Sequence, residues 1–166
     1  MAKRVAPTFN DFLKKFPEME LPITLGEDSH HAFSQANDPL PEAMIQDFIH
    51  PLEDAIDVDG MTEYVACFAL PKTAAYRAIV YWKAELLNYQ YRIVTFNKKG
   101  ELIDQKVIAG TTYQGDEVTQ SAAVIKEDRQ IYIVSGQGQL SGGNYDAAGS
   151  TVNRFQLSSS GKIVEL

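Results

Sequence analysis

From residue 61 to its end the chain is written as strand-length apolar segments separated by short polar turns, and that pattern restricts it to an antiparallel β-meander. Residues 64–70 are apolar at every position, as a strand buried on both faces reads. Pro71-Lys72-Thr73 breaks the run. Tyr76, Ala78, Val80 and Trp82 then alternate with Arg77, Ile79, Tyr81 and Lys83, and residues 89–96 continue in the same style. Asn97-Lys98-Lys99-Gly100 predicts a hairpin turn, with residues 102–108 as its return strand. Residues 118–125 and 130–135 flank a turn at 126–129, and residues 152–157 turn through Ser158-Ser159-Ser160-Gly161 toward Val164.

The three turns recur at spacings of 29 and 32 residues. A closed propeller needs roughly four blades of four strands, and about eight strands are too few for one. The expectation is a mainly β (α+β) fold: one twisted antiparallel sheet, or two packed sheets, of about eight strands. Two short N-terminal helices cover a face or edge. A length of 166 residues suits one domain, divided into a helical and acidic part (1–60) and the meander (61–166).

The helices are read from a different period. Phe9, Phe12, Leu13 and Phe16 fall on one side of a helix over residues 8–16, with Thr8 as N-cap and Pro17 as its stop. Its phenylalanines read as a stripe docked on the domain's own core. Residues 18–24 read as a short strand leading into Gly26. Residues 27–39 show no periodicity and read as loop. Pro41 opens a second helix whose apolar side is Met44, Ile45, Phe48 and Ile49, and Pro51 ends it.

Charge is distributed unevenly. From residue 17 to 70 there is no lysine or arginine, while twelve acids fall in the same stretch, from Glu18 and Glu20 to Asp59 and Glu63. That segment carries −12 in a chain whose total is −7, so the remainder carries +5. Phosphates need positive charge opposite them, so nucleic acid is not the expected partner. A basic protein is. No apolar run approaches the roughly 18 residues of a membrane span, so no membrane partner is expected. Basic residues at positions 3 and 4 have no apolar stretch behind them, unlike a secretory signal, and the single Cys67 allows no intrachain disulfide. A cytoplasmic location is the expectation.

No residue pattern matches a catalytic signature. His30 and His31 follow Glu27 and Asp28, but adjacent histidines are not a zinc spacing, and a solvated loop accounts for them. His50 suits the C-terminal end of the second helix. Asp54, Asp57, Asp59 and Glu63 resemble a calcium loop in composition only, because Gly60 falls at the fourth position rather than the sixth. Glycines 136, 138, 142, 143 and 149 follow a strand but lack the Lys-Ser/Thr ending and following helix of a phosphate loop. They read as a loop between strands. Cys67 lies in the most apolar strand and reads as buried and inert. No metal and no cofactor are expected.

The remaining feature is aromatic: Tyr76, Tyr81, Trp82, Tyr89 and Tyr91 within sixteen residues. Tyr81 and Trp82 point to opposite faces of one strand, so one of them can reach the surface as a partner's anchor, although such rings more often pack into the core. The function expected is therefore a non-enzymatic, acidic protein-binding module that captures a basic protein, as a bacterial immunity protein neutralises a toxin. Its expected contact residues are Glu53, Asp54, Asp57, Asp59 and Glu63, with Tyr81 and Trp82. The alternatives are a small-ligand-binding protein or enzyme with a pocket between sheet and helices, and a homo-oligomeric structural subunit.

Overall fold

A computed structural model describes residues 6–53, 61–139 and 150–166. Eight strands follow one another antiparallel in chain order: β2 (Glu63–Ala69), β3 (Arg77–Glu85), β4 (Asn88–Phe96), β5 (Leu102–Gln114), β6 (Glu117–Ile125), β7 (Gln130–Gln139), β8 (Thr151–Leu157) and β9 (Ile163–Glu165). A ninth, β1 (Ile23–Leu25), pairs with β6. The meander read from the alternating pattern is thus the architecture.

The sheet folds over itself along β5 and β6. Residues 102–109 of β5 run beside β4, whereas Gly110, Thr111 and Thr112 pair with both β4 and β6. Beyond Ser121, β6 leaves β5 and takes β1 on that edge, with Ile23 opposite Ile125, while β7 stays paired along its other edge. Two limbs result, and their facing sides share one core. Val80, Tyr91, Ile93 and Ile108 from β3–β5 meet Ile125, Ile131, Phe155 and Leu157 from β6–β8. The far end is tied by side chains: the Thr95 hydroxyl donates to the Gly161 carbonyl, and Asp104 accepts from the Ile163 N–H. The Arg129 guanidinium donates to the Tyr76 hydroxyl and to the Pro71 carbonyl.

The other face of β2–β4 carries the helical elements. Ile79, Tyr81, Val94 and Phe96 pack there against Phe12, Phe16, Met44, Ile49 and Leu52. Helix α1 (Phe9–Leu13) is opened by a reciprocal capping box between Thr8 and Asp11. Phe12 is fully buried, 5.0 Å from Phe48 ring to ring, and Phe9 meets Phe96 edge-on at 5.0 Å. The phenylalanine stripe is therefore core. Helix α3 (Glu42–Met44) runs on through a π-helical turn (Ile45–Ile49) into a 3₁₀ turn (His50–Leu52). No helix among the described residues is long and apolar enough to cross a membrane.

Three readings are corrected. Residues 29–36 form helix α2 (Ser29–Ala36) instead of loop. The helix escaped notice because none of its residues is buried, so it has no apolar stripe. It is held instead by Phe33 against Phe68, and by Asn37, whose amide donates to the Ala66 and Cys67 carbonyls at 2.7 and 2.8 Å. Gly136 and Gly138 belong to β7, opposite Gln120 and Val118, and not to a loop. Third, neither Tyr81 nor Trp82 is at the surface, with exposures of 0 % and 8 %. They do point to opposite faces, but both faces of β3 are covered.

Candidate aromatic cleft

The side of β3 and β4 that faces the second limb carries large rings, and the strands opposite carry small side chains. Trp82 and Tyr91 are cross-strand partners, and Tyr89 sits one pair further along the same side, opposite Ala84. Across from them stand Gly110, Thr111, Ser121 and Ala122. That mismatch in size leaves a cleft of about 490 Å³, closed on one side by the start of α2. The volume lies in the range of sites for small organic molecules, roughly 300–1,000 Å³.

Gly110 makes the shape of the cleft. Its φ is +150°, and a Cβ there would stand 2.0 Å from the Tyr89 carbonyl oxygen. Only glycine allows the two backbones to approach so closely where the sheet begins to fold over. A smaller cleft of about 250 Å³ shares Tyr89, Gly110 and Ser121 with it.

The rings are ordered. His30 lies flat on Trp82, with centroids 4.2 Å apart and planes 4° from parallel. Trp82 and Tyr89 are within 14° of parallel at 6.0 Å, and Tyr113 stands at 88° to Tyr89 at 6.4 Å. Tyr89 is 36 % exposed, so the row runs from the interior to solvent.

Polar groups converge on the same space. The Nδ1 of His30 donates to the Glu27 carbonyl at 3.1 Å, which leaves Nε2 as the acceptor of the neutral ring. Partial burial, and His31 4.0 Å away, hold His30 below its ordinary pKa despite the opposing pull of that carbonyl and of Asp28. Asp28 occupies the N-cap position of α2, yet its carboxylate makes no capping hydrogen bond. Tyr91 is 2 % exposed, and its buried hydroxyl makes no well-formed hydrogen bond, although the Ser29 hydroxyl and the His30 backbone lie near enough to interact with it. Burial, with Cys67 nearby, pushes that phenol above its ordinary range, and those two neighbours only partly counter this. A buried hydroxyl bonded so poorly weakens the fold.

On the opposite face of β3 the acidic segment meets its own cations. Glu53, whose side chain is 3 % exposed, pairs with Lys83 and lies 3.9 Å from Arg92. The Tyr81 hydroxyl donates to it at 3.3 Å, and Glu85 takes a second bond from Lys83 at 2.7 Å. Burial works against the Lys83 ammonium, but the hydrogen bonds to Glu53 and Glu85 outweigh it and raise its pKa. Glu53 and Tyr81 are thus committed inside the fold and present no surface to a partner. Glu63 is exposed at the start of β2, and Trp82 forms the cleft. Asp54, Asp57 and Asp59 lie outside the described residues.

Among the described residues, no three of His, Cys, Asp and Glu come together as a metal would require. Cys67 is buried, which raises its pKa well above the usual thiol range. Sequence reasoning passed over His30 as a loop residue and did not single out Gly110, Tyr113 or Ser121. The signal present was the alternation of rings on 82–91 with glycine, threonine, serine and alanine on 109–122. Comparison with protein-family models, with curated proteins and with solved structures finds no match.

Proposed function

We propose that the protein binds a small organic molecule in the aromatic cleft between α2 and the sheet. The carrying observation is the 490 Å³ space itself, floored by Trp82 and Tyr89 and edged by the polar groups of His30, Asp28 and Ser121. Flat apolar walls with a few fixed polar groups are what ligand sites are made of. Trp82 is the single tryptophan, so its fluorescence reports on the cleft alone. A thermal-shift screen of small molecules, followed by titration of Trp82 emission, tests the reading. Stabilising compounds are expected to change that emission, and Tyr89→Ala is expected to abolish the response. Stabilisation by compounds that leave Trp82 emission unchanged places binding elsewhere and overturns it.

A second reading, capture of a basic protein partner, is supported by acids that remain at the surface: Glu18, Glu20, Asp38, Glu42, Asp47 and Glu63. It is the earlier expectation without Glu53, Tyr81 and Trp82 as contacts. Such a partner is steered by charge, and its association rate falls steeply as salt rises. A pull-down at low and high ionic strength separates it from the first reading, because occupation of an aromatic cleft by a neutral molecule is indifferent to salt.

A further inference from the structure

Resting on the reading of the cleft as a ligand site, we infer that its ligand presents a cation, an amine or quaternary ammonium carried on an apolar group. The argument begins with what the lining contains. Among the described residues that line the cleft there is no lysine or arginine, while Glu27 and Asp28 stand at its rim. Both carboxylates are exposed, and that of Asp28 is not spent on capping α2. The one described lining group able to carry positive charge, His30, is held below its ordinary pKa by burial and by His31, so in neutral solution its Nδ1 donates to the Glu27 carbonyl and its Nε2 is an acceptor.

The rings supply the second element. An aromatic face is the negative end of a quadrupole, and cations sit on it with about 0.5–2 kcal/mol of attraction, more as water is excluded. His30 covers one face of Trp82, so the rings left to receive a cation are led by Tyr89, with Tyr113 standing at right angles to it. Rings set along two perpendicular directions can face one rounded cationic head from more than one side. An anion entering the same space meets π faces and two carboxylates, with no lysine or arginine among the described lining residues to receive it.

The Glu27 and Asp28 contribution is modest at an exposed rim and falls with salt. The ring contribution does not. A cationic ligand is therefore expected to keep most of its affinity at high ionic strength, unlike a partner held by surface charge.

The test uses three soluble probes of one shape: phenyltrimethylammonium, its neutral counterpart 2-phenyl-2-propanol, and benzoate. Each is titrated against the full chain, with Trp82 emission and isothermal calorimetry as readouts. Phenyltrimethylammonium is expected to bind about tenfold more tightly than the neutral probe, the ratio that about 1.4 kcal/mol of cation–π and rim attraction provides. Benzoate is expected not to bind. The double variant Glu27→Gln with Asp28→Asn, exposed and safe for folding, is expected to lose part of the preference, and Tyr113→Ala most of it. Equal binding of the cationic and neutral probes overturns the inference and leaves the small-ligand reading standing. Failure of all three to alter Trp82 emission overturns both.

Discussion

The imidazole of His30 rests on the indole of Trp82 with their planes 4° from parallel, and this contact joins a helix without a buried residue to the cleft it covers. The pairing makes pH a probe of the site. Burial, then the neighbouring His31, holds His30 below its ordinary value of 6.5, with Glu27 and Asp28 pulling the other way. As pH falls, the unfolded chain takes up its proton first, so stability is present above about 6.5 and declines as pH falls toward the folded value. The thermal midpoint of the wild type minus that of His30→Gln is expected to shrink between about pH 7.5 and 5.5. A difference that grows on acidification means a ring stabilised as imidazolium, which contradicts the stacked neutral form.

Gly110 admits no side chain. With φ at +150° and the Tyr89 carbonyl 2.0 Å from where a Cβ would lie, Gly110→Ala forces β4 and β5 apart. We expect a loss of about 2–4 kcal/mol, from backbone strain and the clash together. Urea denaturation measures it. Gly115, with φ +62° and nothing within 4 Å, is the control: alanine there meets strain without a clash and costs about 1 kcal/mol. Equal losses at the two positions show that the close approach to Tyr89 carries no weight.

Glu53 holds Lys83 in a site where only 6 % of the lysine is exposed. Removing one partner of a buried pair leaves the other charge uncompensated, at about 3–5 kcal/mol. Glu85 remains on Lys83, so Glu53→Gln is expected near the low end, about 3 kcal/mol. The double variant Glu53→Gln with Lys83→Met is expected to recover most of that loss, because the buried ammonium leaves with its partner and Arg92 keeps its bonds to Gln90 and Gln105. Chemical denaturation of the four proteins in the cycle gives the coupling. A coupling near zero shows that the pair is solvated and free for a partner after all.

The extent to which these features could be read from the residues depends on how far apart their causes lie. Val80, Ile79, Ile93 and Val94 declare two buried faces by simple alternation, so the meander and its turns were legible. Helix α2 was not, because its hold on the sheet is one stack, one ring contact and the Asn37 amide, none of them periodic. Glu53 looked like surface charge because its cation lies thirty residues away on β3, in a stretch that shows no helical or strand partner rule linking the two. The rings at 82, 89 and 91 were visible as a cluster. What turned them into a cleft was the fold-over at Gly110, which sets small residues against large ones and which no local pattern announces.

Tyr91 offers the sharpest separation of fold from function. Its hydroxyl is buried without a well-formed hydrogen bond, beside Ser29 and the His30 backbone, while its ring is core on β4 beside Trp82. Tyr91→Phe keeps the ring and removes only the unpaired group, so the unliganded protein is expected to gain about 1 kcal/mol, part of the 1–3 kcal/mol that an unsatisfied buried polar group costs. The same substitution removes the partner that a ligand would satisfy, and binding in the cleft is expected to weaken about tenfold, the loss of roughly one hydrogen bond. A melting temperature that rises while affinity falls is the signature of a group kept for binding at the expense of the fold. A variant that loses stability instead shows that the hydroxyl is satisfied in the free protein, by Ser29 or by water, and takes Tyr91 out of the groups a ligand contacts.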